Sequence, residues 1–206
     1  MSKHATTKTI VLSPAAQQVF RRIKRNKQLH GDLKAIAQAS PRHDYIGPNA
    51  AVMAMAERLG FKTFDLAIAE VRCAKVMTFI VVPFGVWNDK MLREKVFELR
   101  RMARREGHQS MLVPQGVLQR EPRLSNSRLV SRSARLRLDA TGMMSVLTYL
   151  IENGASSVSE LASLITSVDP IGAIFGMLAS GDIEIDMGKP ISPSTMVDLG
   201  HRHSGH

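Results

Sequence analysis

The chain has 206 residues, 44% of them hydrophobic, with 28 Lys and Arg against 18 Asp and Glu and a formal net charge of +10. That length allows one large domain, or a core domain with a small companion. No apolar run reaches the ~18 residues a membrane-spanning helix needs, so no membrane partner is expected. The single cysteine, Cys73, excludes an internal disulfide and reads as a small buried residue. With a polar, signal-free N-terminus it fits a reducing cytoplasm, where the chain is expected to be nucleoid-associated.

The charge is unevenly divided. Residues 1–50 carry nine Lys/Arg and two Asp/Glu, residues 51–138 carry 17 and eight, and residues 139–206 carry two and eight. A cationic part therefore meets an anionic part near Leu138 and Asp139, which implies two surfaces with different partners.

Residues 1–10 read as a flexible leader, and residues 11–60 as a basic helical segment. Ser13 can cap a helix and Pro14 suits its first turn. Ala15, Ala16, Val19, Phe20 and Ile23 then share one face. Arg21, Arg22, Lys24, Arg25 and Lys27 occupy the other face and the turn after it. Cations so close, with no acid among them, repel one another unless neutralised; the stretch is either a solvated face or a phosphate-contacting arm. A second short helix is expected over residues 31–39, a loop over 40–48, and a third helix over 49–59 ending at Gly60. Residues 61–71 fit a strand or a helix equally. Residues 76–84 are a strand, continuously β-branched and aromatic, with Pro83 at its end or on a bulge.

Residues 89–106 form the most regular element. Leu92, Val96, Leu99 and Met102 fall at helical spacing among Arg and Lys. Asp89 can cap the start, and Gly107 suits the left-handed turn at the end. A short strand over 110–113, a turn of helix over 114–119 and a basic exit segment over 119–130 follow. Beyond the charge boundary a helix starts at Asp139 or Thr141. Ser157 and Glu160 form a capping box on a second helix, and Asp169-Pro170 opens a third. Residues 182–187 alternate as a strand, and residues 195–199 return as its partner. Three helices and a hairpin make a winged helix-turn-helix. The tail, 200–206, is expected to be flexible; its three histidines could alternatively ligate metal.

The run 93–130, with Gly107 and the segment Arg120-Glu-Pro-Arg-Leu-Ser-Asn-Ser-Arg-Leu129, resembles the TnsA-type transposition endonucleases. So do Ser159-Glu-Leu-Ala162, Ile183-Glu-Ile-Asp186 and Lys189-Pro-Ile-Ser-Pro-Ser-Thr195. The likeness covers about half the chain and none of the first 75 residues. It implies an α/β (α+β) restriction-endonuclease-like core over 61–138, preceded by the helical segment and followed by an acidic winged-helix module over 139–199. It also implies DNA cutting with a divalent metal, and a C-terminal end that contacts other transposition proteins. A site of that kind carries an Asp at the end of one strand and a Glu/Gln-x-Lys on the next. Here the strand before the basic helix reads Phe79-Ile-Val-Val-Pro-Phe-Gly85, with neither acid nor lysine. Glu57, Asp65 and Glu70 are the remaining candidate carboxylates, and Mg²⁺ is expected only if they converge.

No phosphate-binding or dinucleotide glycine pattern occurs, and His30, His43 and His108 stand alone in sequence. No cofactor or metal is therefore expected. The third C-terminal helix, which would read DNA, has no Arg, Lys, Asn or Gln, so residues 139–206 are expected to dock a protein instead. Duplex DNA is assigned to Arg21, Arg22, Lys24, Arg25 and Lys27, to Arg100, Arg101, Arg104 and Arg105, and to Arg120, Arg123, Arg128, Arg132, Arg135 and Arg137. The scarcity of aromatics, Trp87 being the one tryptophan, favours duplex over single strands. The expectation is a DNA-binding accessory of transposition, or a regulator, whose core has lost its metal site. The alternatives are an active Mg²⁺-dependent endonuclease and a regulator that binds an acidic protein.

Overall fold

Ser13 accepts a hydrogen bond from the Ala16 N–H at 3.3 Å and starts α1, Pro14–Gln38. In the computed structural model, residues 13–200 are described. The expected leader at 1–10, and the histidines of the tail, lie outside them. The expected break at Gly31 does not occur: α1 is one helix of 25 residues. A mid-helix glycine costs about 1 kcal/mol, and the burial of Leu29, Leu33, Ala35 and Ala37 on either side of Gly31 offsets it. The apolar face expected near the start is not buried, since Val19 is 41% exposed and Phe20 60%.

β1, Asp44–Pro48, forms where a loop was expected. It pairs antiparallel with β2, Ala67–Arg72, with an irregularity between Tyr45 and Gly47. Between them lies α2, Ala50–Arg58, capped by the Asn49 side chain, which accepts from the Val52 N–H at 3.0 Å. β3, Val76–Val82, ends at Pro83 as expected and leads through α3, Phe84–Trp87, into α4, Lys90–Arg105. Asp89 caps α4, accepting from the Leu92 N–H at 3.0 Å, and Gly107 turns the chain with φ of 85°. Next come β4, Ser110–Pro114, and α5, Gln115–Leu118. The expected exit segment is largely a helix, α6, Arg123–Ser133.

The chain is mixed α/β, with a four-stranded mixed sheet in the order β1-β2-β3-β4. β2 and β3 are antiparallel; β3 and β4 are parallel, joined across α4. Alternation along the strands gives the sheet two apolar faces. Ala67, Ala69, Val71 and Val81 pack with Leu29, Leu33 and Ala37 of α1. Ile68, Ile80 and Val82 pack with Val52 and Met55 of α2 and with Val96, Leu99 and Ala103 of α4.

The C-terminal module begins with α7, Ala140–Asn153, at the charge boundary. β5, Ser156–Ser157, then α8, Val158–Ser163, and α9, Pro170–Ser180, follow. β6, Ile183–Ile185, and β7, Met196–Leu199, complete a three-stranded sheet in the order β5-β7-β6. The capping box at Ser157 and Glu160 is present. β5 was not expected: two residues are too short to show a period. The module's core of Val146, Leu150, Leu161, Ile174, Ile183 and Val197 also includes Val130 of α6. The module is therefore built onto α6.

Candidate nucleic-acid interface and a polar row beside it

Register alone brings three polar side chains together on the α4 face of the sheet: Glu70 of β2 lies opposite Thr78 of β3, and Thr78 opposite Ser110 of β4. Asn49 reaches them from the start of α2. Its amide donates to Glu70 Oε1 at 2.8 Å and to Thr78 Oγ1 at 3.0 Å, and lies 3.4 Å from His108 Nδ1. Ser110 Oγ is buried without a partner. A recess of about 270 Å³ adjoins the row, lined by Met77, Arg104, Gly107, His108, Gln109 and Ser110. Sequence reasoning missed Asn49, Thr78 and Ser110, because each is unremarkable alone. The available signal was a polar Thr78 inside an otherwise apolar strand.

The three candidate carboxylates do not converge. Glu57 is exposed on α2. Asp65 lies before β2, where it forms an ion pair with Arg22 and accepts the Lys62 N–H at 2.9 Å. Glu70 lies toward the other end of β2 and is held by Asn49. Among the described residues no three His, Cys, Asp or Glu side chains are grouped to hold a metal ion. The carboxylate set suggested by the sequence is thus corrected: Asp65 has a structural role, fixing Arg22 over the Phe64 ring at 5.3 Å.

The cations divide more sharply. Residues 13–138 carry 24 Lys and Arg and ten Asp and Glu. Five of these cations pair with carboxylates: Arg22 with Asp65, Arg58 with Glu106, Arg72 with Asp44, Arg101 with Glu98 and Arg128 with Asp32. Arg21, Lys24, Lys27, Arg104, Arg105, Arg120, Arg123, Arg132, Arg135 and Arg137 are exposed with no such partner among the described residues. Arg25 and Arg100 are half-buried, each with an unpartnered Nε. Arg128 Nε donates to the buried Asp32 at 3.1 Å, which ties α6 to α1. The sheet separates α1 from α4. The sequence-based grouping of their arginines on one body becomes two cationic surfaces on opposite faces.

In the C-terminal module the helix that lacked DNA-reading side chains is buried from Gly172 to Leu178. A Cβ at Gly176 would lie 2.3 Å from the Leu136 carbonyl oxygen, so the linker passes directly over it. Asn126 fastens the hairpin end of the module. Its amide donates to the Met187 carbonyl at 3.0 Å and the Lys189 carbonyl at 2.7 Å, and its Oδ1 accepts from the Ile191 N–H at 3.3 Å. The two motif segments quoted above, around 121–126 and 189–195, therefore meet in one joint.

Several of the module's acids have local work. Asp139 and Asp169 accept the N–H groups of Gly142 and Gly172, each at 2.8 Å, and Glu160 accepts that of Ser157 at 2.7 Å. Asp186 accepts the Gly188 N–H at 2.8 Å. These hydrogen bonds hold the Glu160 and Asp186 carboxyls below their usual range, and bonds from Ser125 do the same for Glu121. The acidity of residues 139–206 is in good part helix and turn capping. Burial lowers the His30 pKa; burial, and then the Arg123 and Arg42 guanidiniums, lower that of His43.

Compared with known proteins, the chain matches no family model and no curated protein. No helix among the described residues is long and apolar enough to cross a membrane.

Proposed function

We propose that this protein binds duplex DNA through the cationic residues of its N-terminal body, as an accessory of DNA transposition or recombination or as a regulator. The observation that supports the reading is the surplus of exposed, unpaired Arg and Lys in residues 13–138. Such a surplus raises the energy of the free protein and is relieved by phosphate, which releases counterions on binding. The strand order and the α4 crossover are consistent with a restriction-endonuclease-like core whose metal site is degenerate. In that reading the core binds DNA without cutting it. The helix and strand order after Asp139 is consistent with a winged helix. With α9 covered by α6, a protein partner would meet residues 139–206 through α7, where Met144 and Ile151 are 58% and 68% exposed.

The test is fluorescence anisotropy with a random-sequence duplex at rising salt. With about six phosphate contacts, log K should fall with log salt at a slope near −5, a loss of about 10³ in affinity between 50 and 200 mM. Affinity indifferent to salt would exclude phosphate contact.

A further inference from the structure

The seam between body and module holds a cavity of about 530 Å³, within the range of roughly 300–1,000 Å³ typical of small-molecule sites. Ile36 of α1, Leu178 of α9 and Ile183 and Ile185 of β6 give it an apolar lining. Arg42 and Arg123 line the same cavity. They come from separate segments, the turn before β1 and the first residue of α6, and both are exposed. Neither guanidinium pairs with a carboxylate among the described residues. Both sit close enough to His43 to oppose its protonation, so their fields overlap. Glu184, on the module side, also lines the cavity and has contacts of its own.

Two cations brought together beside an apolar lining are a mutually repelling pair that an anion would relieve. A bare inorganic ion would use the guanidiniums and leave the lining wet. A neutral apolar molecule would use the lining and leave the charges unmet. The complement of both is one molecule with an anionic head and an apolar body.

We propose that this cavity binds a small amphipathic anion, an organic carboxylate or phosphate whose head meets Arg42 and Arg123 and whose apolar part lies against Ile36, Leu178 and Ile185. The occupant would touch α1, α6, α9 and β6 at once, and so favours the docked arrangement of body and module. The proposal does not rest on DNA binding, although Arg123 belongs to both surfaces.

The test uses the full chain with octanoate, 1-octanol and inorganic phosphate as probes below any micelle-forming concentration. Isoleucine methyl and histidine ring signals are followed by NMR, with the melting temperature measured alongside. Octanoate should shift the Ile183, Ile185 and His43 signals saturably, raise the His43 pKa and raise the melting temperature. It should bind at least tenfold more tightly than either 1-octanol or phosphate. The double variant Arg42→Ala/Arg123→Ala, altered at exposed positions, should lose at least tenfold in octanoate affinity, and the single Arg42→Gln an intermediate amount. Parity between octanoate and 1-octanol would overturn the proposal, leaving an apolar crevice. Parity with inorganic phosphate would overturn it as well, leaving a bare cation pair. Absence of saturable shifts in those signals would do the same.

Discussion

Replacing Asn126 by alanine removes the side chain that joins α6 to the hairpin of the C-terminal module. Three backbone groups lose their partner: the Met187 and Lys189 carbonyls and the Ile191 N–H. Asn126 itself is only 4% exposed. A group left unpaired in such a place costs about 1–3 kcal/mol, and partial access of water brings each toward the low end. The expected loss is about 3 kcal/mol. In a chain of this size each kcal/mol moves the melting temperature by about 2–4 °C, so Asn126→Ala should melt about 6–12 °C below the wild type in a calorimetric scan at neutral pH. Arg132→Ala is the control: it is exposed on the same helix without a carboxylate partner among the described residues and should change stability by less than about 0.5 kcal/mol. A shift for Asn126→Ala of under 2 °C would show that the three hydrogen bonds do not hold the joint, and the account of how the module is seated would fail with them.

Gly176→Ala tests the other side of that joint. Its new methyl would press on the Leu136 carbonyl at 2.3 Å, for an expected loss of about 2 kcal/mol; urea unfolding that matches the wild type would contradict the close approach. The histidines set an acid-side trend. Because the folded chain lowers the pKa of His30 and His43, the unfolded chain takes up protons first as pH falls below about 6.5. Their contribution to stability is therefore present above that value and declines as pH falls toward the folded pKa values. The urea midpoint should fall between pH 7 and 5.5, and His30→Gln/His43→Gln should flatten the trend; an unchanged slope would refute the assignment. Supercoiled plasmid should survive incubation with Mg²⁺ or Mn²⁺, since the candidate carboxylates are dispersed. Nicking that disappears in Glu70→Ala would show a working site at the polar row.

Elements with a chemical start signal were legible in the sequence. Ser13-Pro14, Asp89, the Ser157 and Glu160 pair and Asp169-Pro170 each begin a helix, because a short acceptor satisfies N–H groups that the helix itself leaves free. β3 was legible because a run of β-branched residues is rare outside a buried strand. β1 was hidden: its identity rests on backbone pairing with β2, while Gly47 and Pro48 announce a turn. α6 was hidden for the opposite reason, since two of its inward positions are Asn126 and Ser127, polar residues that break the apolar period. The polar row was illegible because strand register, and not sequence spacing, makes Glu70, Thr78 and Ser110 neighbours. The charge boundary at residue 139 falls at the N-cap of α7, whereas the core of the C-terminal module reaches back to Val130 of α6. The simple electrostatic meaning of the boundary was too broad, because four acids beyond it serve as caps.

The sheet that parts α1 from α4 has a consequence for geometry. A double helix is stiff, and bending 20–30 base pairs by 40–90° costs about 1–6 kcal/mol, so a straight stretch of it meets one of the two cationic surfaces and not both. On the proposed reading each molecule offers two berths to two separate rods. At high occupancy such a molecule would act as a cross-link, drawing neighbouring duplexes side by side into a mesh.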